Sequence, residues 1–495
     1  MARTASIATC LLLGSAGLLQ AQEDEAHRSV VRVFATVSPP NMSRPWEVTA
    51  PSERTGSGVV IEGKKILTNA HVVAHAQQIF VQPHKSSERL NATIELLSQD
   101  CDLAVLKLED PKELGDAAKP LALADSLPKI KSKISVLGYP TGGDTMSVTE
   151  GVVSRIEYSS YYFGTSALRI QVDAAVNPGN SGGPGVVDGK IAGVVFSTLR
   201  EAEKIGYLIP AEVVRHFLED WRADNKYDGF PKLDIETCTL ENTALRSFLK
   251  LEKKDTGIVV HRIDRPDLAN LLRPWDVITE FDGYAIDNLG MVQIEDELRV
   301  HAECVVSRKA PGSHVKLKLI REGKVIELEV PTITQRNSVI QRMSGSRPTY
   351  FVYGGLVFSP VTQEMLQSAG ERWLVYLAYS SRLVSQSARR LRTNPEDELV
   401  ATCCAILPHR LTKGYSIPAF SVITHVNETP VKIIRQLIAT LRDNRAKDFV
   451  ILRFEDDHLE KVVLDPREVD KSSVEILRNN NIPSICSDDL KDLWP

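Results

Sequence analysis

The chain has 495 residues, of which 43% are hydrophobic and 25% are charged. This length suits about three domains of ~100 to 200 residues. A formal net charge of −5, from 59 basic and 64 acidic residues, gives no indication of a nucleic-acid or anionic-membrane partner. After the N-terminus, no segment approaches ~18 uninterrupted apolar residues, so we expect no membrane span in the mature chain.

The N-terminal residues predict an export signal. Residues 1–21, MARTASIATCLLLGSAGLLQA, combine one early arginine, a short apolar core and small residues before the acidic start QEDE. This pattern is typical of a secretory signal peptide cleaved near Ala21, and it favours a periplasmic or secreted location over a plant organelle. A retained N-terminal anchor is the alternative interpretation.

Residues 22–225 predict an all-β domain. Short apolar or alternating runs, separated by Gly, Pro, Asp and Ser, suit two packed antiparallel barrels with a cleft between them. The apolar residues of PAEVVRHFLEDWRAD recur at helical spacing, so this segment predicts a helix that closes the domain.

A serine lies among glycines in Gly179-Asn180-Ser181-Gly182-Gly183-Pro184, after a Pro-Gly turn and before a Val/Ile run. This is the position of a nucleophile on a tight loop that a substrate carbonyl can approach. A serine hydroxyl is a weak nucleophile without help, so the prediction requires a histidine base and a carboxylate that orients it. A structural Gly-Ser-Gly turn is the alternative.

The chain supplies both partners upstream. His71 follows the apolar segment Ile66–Thr68, and Asp102 directly precedes the apolar strand LAVLKL. His75 and Asp100 are the competing candidates, and Cys101 is a less probable nucleophile that suits a small buried position better. The chain order His71, Asp102, Ser181 is that of chymotrypsin-like double barrels and differs from the order in subtilisin-like and α/β-hydrolase folds.

These motifs, in this order, resemble those of the HtrA/Deg family of serine proteases, which carry PDZ domains after a chymotrypsin-like domain. The C-terminal half is similar to the plant-type Deg branch with a divergent second PDZ domain. The residues that carry the resemblance are TNAHVV, DCDLAVLKL, GNSGGP, IGYLIP and IPSICSDDLKDLW.

The resemblance implies further properties of the site and of the assembly. The backbone N–H groups of Gly179 and Ser181 would form the oxyanion hole, and the loop 174–180 would act as an activation switch. Phe196, Ser197 and Thr198 would line the primary specificity pocket, with 199–204 at its rim; since no acid stands there, we expect small or medium apolar P1 residues. The family assembles as trimers or multiples of trimers, so a homo-oligomer is implied.

Residues 230–335 predict a small α+β domain. Strands are expected in TGIVVHRI, DVITEFDG and HVKLKLIREGKVIELEVP, and helices near ENTALRSFLKL and in DNLGMVQIEDELRV. The stretch LLRPWDVITEFDGYAI resembles a PDZ signature, although Trp275 stands where glycine is usual. A peptide carboxylate is expected on the backbone amides of Leu249–Gly257.

Residues 345–470 predict a divergent second PDZ-like domain with an inserted helical stretch at about 362–400. Val422-Ile423-Thr424 repeats Val277-Ile278-Thr279, a weak internal repeat. Two strands are expected around Asp456-Asp457. Residues 471–495 form a C-terminal tail that would dock on another surface.

No CxxC pair or zinc-like Cys/His spacing occurs, so no metal or other cofactor is expected, and no disulfide can be assigned. The sequence therefore predicts an ATP-independent serine endopeptidase that cleaves unfolded or damaged proteins, with PDZ domains for regulation, peptide binding or assembly. It lacks the Gly-rich Walker loop GxxxxGK[ST]. A non-hydrolytic or latent peptide-binding chaperone or scaffold is the alternative.

Overall fold

The computed structural model describes residues 26–494 except 116–117, 162–164, 199–204, 226, 296–297, 335–337, 344–346, 371–380, 382–383, 385–386, 388–389, 393, 395–396 and 456–460. The predicted signal peptide, the pocket-rim loop 199–204, the turn at Asp456-Asp457 and much of the stretch 362–400 lie outside these residues. Among the described residues, no helix combines the length and apolar character that a bilayer crossing requires. The chain divides into two compact units, residues 1–37 with 51–335 and residues 38–50 with 336–495.

The first barrel confirms the alternating pattern of its sequence. In β1, VVRVFATV, buried valines and an alanine alternate with more exposed residues, as a strand with one face in a core requires. The sheet closes in the order β1-β2-β3-β6-β5-β4, and all pairs are antiparallel. Its strands are β1 (Val30–Val37), β2 (Ser52–Ile61), β3 (Lys65–Thr68), β4 (Ala76–Gln82), β5 (Leu90–Ser98) and β6 (Leu103–Leu108), with the single helical turn α1 (Ala70–Val73) after β3.

The second barrel closes in the order β10-β11-β12-β9-β8-β7. The helix α2 (Ala211–Asp224) follows its last strand and buries Val213, Val214, Phe217 and Leu218, as the helical spacing predicted. The strands are β7 (Lys133–Gly138), β8 (Ser147–Ser160), β9 (Ser166–Val172), β10 (Pro184–Val187), β11 (Lys190–Thr198) and β12 (Gly206–Pro210).

An α+β domain follows within the same unit. Its main sheet has the order β13-β14-β15-β19-β20, with β16 paired to β15, and one buried apolar cluster continues from the second barrel into this domain. The elements are β13 (Ile235–Thr239), α3 (Thr243–Phe248), β14 (Ile258–Ile263), β15 (Val277–Phe281), β16 (Tyr284–Ala285), β17 (Met291–Glu295), β18 (Leu298–His301), α4 (Glu303–Ser307), β19 (His314–Arg321) and β20 (Lys324–Pro331).

The helix predicted in DNLGMVQIEDELRV is wrong. These residues form the antiparallel hairpin β17-β18, in which Met291 pairs with His301 and Val292 with Val300. Val292, Leu298 and Val300 are buried, whereas Gln293 and Arg299 are exposed. This two-residue alternation is the period of a strand and outweighs the helical preference of the Glu-rich stretch.

The second unit contains two small antiparallel sheets. One has the order β21-β22-β23 and the other β25-β24-β26-β27. Its elements are β21 (Phe351–Tyr353), β22 (Leu356–Pro360), α5 (Gln363–Ser368), β23 (Val400–Thr402), β24 (Ile423–Val426), β25 (Thr429–Pro430), α6 (Ile434–Asp443), β26 (Val450–Phe454), β27 (Lys461–Leu464) and α7 (Pro466–Asn479).

The weak repeat corresponds to a repeated hairpin. β15 turns into β16 at Asp282, and β24 turns into β25 at Asn427; both residues have positive φ, 49° and 52°. Asp and Asn tolerate this left-handed conformation better than most side chains. In both domains, a short polar residue therefore allows the tight turn between the two paired strands.

The C-terminal residues pack within the second unit. The Val352 N–H donates to the Ile485 carbonyl at 2.8 Å, and the Ser487 N–H donates to the Tyr350 carbonyl at 3.0 Å. The ring of Trp494 contacts Phe351 edge to face, with ring centroids 5.1 Å apart. The predicted domain boundary at residue 470 lies within α7.

Candidate active site

His71 and Asp102 meet at the edge of the first barrel. His71 lies in α1, two residues beyond the extended Asn69 that follows β3, and Asp102 directly precedes β6. The Asp102 carboxylate accepts two hydrogen bonds from His71, one from the ring Nδ1 at 2.7 Å and one from the backbone N–H at 2.8 Å. This pair leaves the Nε2 atom of His71 available to accept a proton.

The Asp102 carboxylate is buried, whereas the His71 imidazole is partly exposed. The Asp102 side chain is 3% exposed, whereas that of His71 is 39% exposed. The Asp102 carbonyl also accepts hydrogen bonds from the Ala70 N–H and the Asn69 side-chain amide. The backbone of Asp102 has φ 55°, so the acid is fixed by its own loop as well as by the histidine.

Arg54 is a contact of the site that sequence reasoning missed. Its guanidinium donates to the His71 carbonyl at 2.6 Å. Arg54 lies in the exposed half of β2, and in the sequence it looks like any solvated strand residue. Only the pairing of the strands brings it to α1.

The Ser181 loop joins β9 to β10 in the second barrel. The Asn180 carbonyl accepts from the Gly183 N–H at 2.9 Å, and the Ser181 carbonyl accepts from the Ser57 N–H at 2.8 Å. Within the described part of the chain, the N–H groups of Gly179 and Ser181 have no acceptor. Two donors of the same loop are therefore free for a ligand oxygen.

The glycines of this loop meet close backbone contacts. A Cβ on Gly179, whose φ is 97°, would lie 2.5 Å from both the Thr141 nitrogen and the Tyr139 carbonyl oxygen. A Cβ on Gly182, whose φ is 87°, would lie 2.1 Å from the Ser57 carbonyl oxygen. Both positions exclude a side chain, because of the positive φ and because of the space.

The structure places Ser181 half-buried. No hydrogen bond joins its hydroxyl to His71 in the described portion of the chain. Catalytic hydrogen bonds are often long before substrate binds. The acid and the base of the candidate site are therefore paired with each other.

Comparisons with known proteins agree with this fold. A sequence model of the trypsin-like peptidase domain matches residues 56–194, and one of the PDZ domain matches residues 339–489. In Arabidopsis thaliana, the putative mitochondrial protease Do-like 3 is 36% identical over 94% of this chain and 81% of its own length, and the chloroplastic protease Do-like 2 is 35% identical over 93% and 75%. The chain belongs to the HtrA/Deg family of serine endopeptidases.

Other members and structures extend this comparison. The putative protease Do-like 13 of Arabidopsis thaliana is 33% identical over 93% of this chain and 89% of its own length. Among solved structures, the HtrA-type protease AlgW with a decapeptide is 23% identical, with a TM-score of 0.48 over 64% of this chain and 98% of its own.

In this Deg-family chain, the competing candidates take other positions. His75 is exposed, with φ 61°, and the carboxylate that contacts His71 is that of Asp102. Cys101 is fully buried, and burial raises the pKa of its thiol to about 12. A thiol with that pKa carries almost no thiolate at neutral pH, so Cys101 suits a structural position.

The predicted specificity pocket is only partly described. Phe196 is buried in β11 and its ring stacks on Tyr161 at a centroid distance of 5.0 Å. Ser197 and Thr198 continue the strand, and their side chains lie outside the described residues. The pocket and its apolar P1 preference remain predictions.

The predicted carboxylate site at Leu249–Gly257 stays a prediction, although several of the loop amides already have acceptors. The N–H groups of Leu249, Lys250 and Leu251 donate to carbonyls of α3, and that of Glu252 donates to the Asp255 carboxylate. Arg246 further binds the Glu252 and Asp255 carbonyls. Sequence could not show this, since a helix C-terminus and a free loop have similar composition.

Proposed function

We propose that this chain is an ATP-independent endopeptidase for unfolded or damaged proteins that uses Ser181, His71 and Asp102. The observation that supports the proposal most directly is the buried Asp102 carboxylate bound to His71 Nδ1 at 2.7 Å. A histidine held in this tautomer can take a proton from a serine through Nε2 and deliver it to a leaving amine.

The proposed reaction follows from these groups. Ser181 attacks the scissile carbonyl while His71 accepts its proton, and the Asp102 charge stabilises the imidazolium that forms. The free N–H groups of Gly179 and Ser181 would bind the developing oxyanion. Breakdown of the tetrahedral intermediate gives an acyl-enzyme, and water then attacks it with His71 as the base.

The direct test is degradation of reduced β-casein by the purified chain without ATP, beside Ser181→Ala. We expect the wild type to cleave and the variant to lose turnover on the order of 10⁶-fold, to background. Mapping of the cleavage sites would then test the apolar P1 preference. Casein degradation by Ser181→Ala equal to that of the wild type would refute the assignment of the nucleophile.

The alternative is a latent or non-hydrolytic peptide-binding form. If neither wild type nor Ser181→Ala cuts casein while both bind it, the test is repeated with added peptides that engage the PDZ domains. Activation by such peptides would identify a latent protease, and continued inactivity would favour the chaperone.

The domain organisation is proposed as protease 22–225, PDZ-like domain 230–335, PDZ-like domain 345–470 and tail 471–495. The α+β sheet of the first PDZ-like domain has β13 at one edge, where an added peptide strand could pair. Peptides labelled at one end, crosslinked and mapped by mass spectrometry, would test this edge. Crosslinks confined to other surfaces would contradict it.

Export by residues 1–21, with cleavage near Ala21, remains a proposal from the sequence. Relatives named as mitochondrial and chloroplastic make organellar import the competing outcome. Residues 1–25 fused to a fluorescent protein would report the destination. Secretion with cleavage near Ala21 supports export, and accumulation in an organelle refutes it.

A homotrimer or a multiple of trimers is the proposed assembly, as implied by the family. Light scattering of the purified chain, whose protomer mass is 54.8 kDa, would test it. A molar mass that is not a multiple of three protomers would contradict the proposal.

A further inference from the structure

The orientation of the Ser181 loop depends on bonds to its main chain. The Asn180 side chain is buried, and its amide nitrogen and oxygen have no hydrogen-bond partner among the described residues. Buried polar groups usually have such partners. The loop therefore relies on groups outside it that bind its carbonyls.

Two of those groups act on the peptides on either side of Gly179. The Thr141 N–H donates to the Pro178 carbonyl at 2.7 Å. The Ser57 hydroxyl donates to the Gly179 carbonyl, also at 2.7 Å. Thr141 lies in the turn between β7 and β8, and Ser57 lies in β2 of the first barrel.

Because the Pro178–Gly179 peptide is trans, the bond from the Thr141 N–H to the Pro178 oxygen fixes the direction of the Gly179 N–H. The C=O and N–H of one peptide unit point in opposite directions. Because Thr141 holds the Pro178 oxygen on one side, the Gly179 N–H must point to the other. If this peptide rotated by about 180°, the Pro178 oxygen would take the place of the donor and lose its bond to Thr141.

Ser57 joins the loop to the same turn. Its side chain is fully buried, and its oxygen accepts from the Tyr139 N–H at 2.7 Å while donating to Gly179. Its main chain is fixed as well, since the Ser57 carbonyl accepts from the Thr68 hydroxyl at 2.7 Å. One rigid residue thus connects the Tyr139–Thr141 turn with the loop that carries the nucleophile.

We propose that the Ser57 hydroxyl and the Thr141 N–H are positioning groups that hold the Gly179 N–H towards the substrate carbonyl. In this proposal both groups act through the loop main chain. Their effect is to preorganise a donor whose interaction is strongest in the transition state. This inference rests on the proposed protease function and names two residues outside the triad that this function requires.

The turn permits a substitution that replaces the Thr141 amide hydrogen by the ring carbon of proline. The Gly143 N–H donates to the Pro140 carbonyl at 3.2 Å, and Gly142 has φ 89°. This pattern is that of a type II turn with Thr141 at its second position, where proline is favoured. Thr141→Pro should therefore keep the turn, remove the donor and push the Pro178 oxygen from its present place, because the proline Cδ takes the position of the hydrogen that this oxygen accepts. Thr141→Ala is its reference because it loses the side chain and keeps the amide.

The experiment measures kcat and KM on fluorescently labelled reduced β-casein, and the inhibition constant of a peptide boronic acid with valine at P1. The boronate mimics the tetrahedral intermediate and so reports the oxyanion hole. The variants are Ser57→Ala, Thr141→Pro, Thr141→Ala and Ser29→Ala. Ser29 is the matched control, because its hydroxyl is likewise buried in the first-barrel region and donates to a carbonyl, that of Lys119.

We expect Ser57→Ala, and Thr141→Pro relative to Thr141→Ala, to lower kcat about 10- to 100-fold, since small displacements of an oxyanion donor are costly. The KM should change by less than about threefold, and boronate binding should weaken by the same factor as kcat. Ser29→Ala should retain activity and boronate affinity. A merely structural role of Ser57 would not couple kcat to boronate affinity.

Unchanged kcat, or a loss confined to KM with unchanged boronate affinity, would overturn the inference. If Ser57→Ala fails to fold by circular dichroism, Thr141→Pro beside Thr141→Ala decides the matter alone. A wild type that neither cuts casein nor binds the boronate would instead refute the proposed function. Failure of the positioning inference and failure of the proposed protease function therefore give different results.

Discussion

At the scale of single residues, the site is defined by how Asp102 is held. Its carboxylate is almost fully buried and receives two hydrogen bonds from His71. A buried carboxylate is costly unless such donors compensate for lost hydration. The charge is consequently available to fix the imidazole tautomer and to stabilise its protonated form.

Asp102→Asn should lower kcat about 10⁴-fold near neutral pH, because an amide can stabilise the wrong tautomer of His71. Casein turnover against pH is the measurement. Asp100→Asn is the matched control two residues away and should change kcat less than about twofold. If both variants lost kcat equally, the loss would reflect a change in the loop rather than loss of the Asp102–His71 contact.

Cys101 should resist alkylation in the native state. Burial raises the pKa of its thiol to about 12, so the reactive thiolate is scarce below that pH and increases only as pH rises towards it. Treatment with iodoacetamide at pH 8 followed by mass spectrometry should modify the exposed Cys238 and leave Cys101 unmodified until the chain is denatured. Native labelling of Cys101 at the rate of Cys238 would contradict its structural assignment.

At the scale of secondary-structure elements, an ion pair joins helix α2 of the protease to helix α4 of the next domain. Arg308 binds Glu212 through two contacts of 3.0 and 2.8 Å, and the two side chains are 32% and 24% exposed. Bidentate arginine–carboxylate geometry is specific as well as attractive. The pair therefore adds a directional contact between the protease domain and the α+β domain, which also share an apolar cluster.

A double-mutant cycle with Glu212→Gln and Arg308→Met should give a coupling free energy of about 1 kcal/mol, reduced by partial solvent screening. Urea unfolding of unit 1 is the measurement. The exposed pair Arg222–Glu62, whose side chains are 54% and 85% exposed, serves as control and should couple near zero. Equal coupling of the two pairs would contradict a special role for the α2–α4 contact.

At the scale of the whole molecule, residues 38–50 have an unexpected position. They lie between β1 and β2 of the first barrel in sequence but belong to the second compact unit. Trp46 contacts Tyr350 edge to face at a centroid distance of 5.6 Å. Domains defined as single continuous residue ranges therefore do not describe this path of the chain.

Trp46→Ala should release residues 38–50 from the second unit. Loss of an aromatic pair worth up to about 1.5 kcal/mol should accelerate cleavage after Glu47 by a glutamate-specific protease about tenfold, because local opening becomes more frequent. Cleavage is timed by mass spectrometry in the Ser181→Ala background, which prevents self-digestion. Cleavage after the exposed Glu88 is the internal control.

Trp275→Ala is the matched tryptophan variant. Trp275 is 52% exposed in the α+β domain of the first unit, so its removal should leave cleavage after Glu47 unchanged. An equal acceleration in both variants would show a general loss of stability rather than release of the segment.

The residues by themselves determined the protease fold and predicted the candidate catalytic groups. Strand-period runs identified both barrels, and the His71, Asp102, Ser181 order identified the chymotrypsin-like arrangement. These features are local, because each depends on residue type within a short window or on simple chain order. By contrast, the β17-β18 hairpin was missed, since its alternation competes with helix-favouring glutamates.

Only the tertiary structure decided which distant groups meet. The sequence carried no signal that Ser57 bridges Tyr139 and Gly179, that Arg54 reaches the His71 carbonyl, or that residues 38–50 join the second unit. Each contact depends on strand register and chain path over tens to more than a hundred residues. Such contacts use ordinary serine, arginine and backbone groups, whose composition looks the same whether they are solvated or essential to the site.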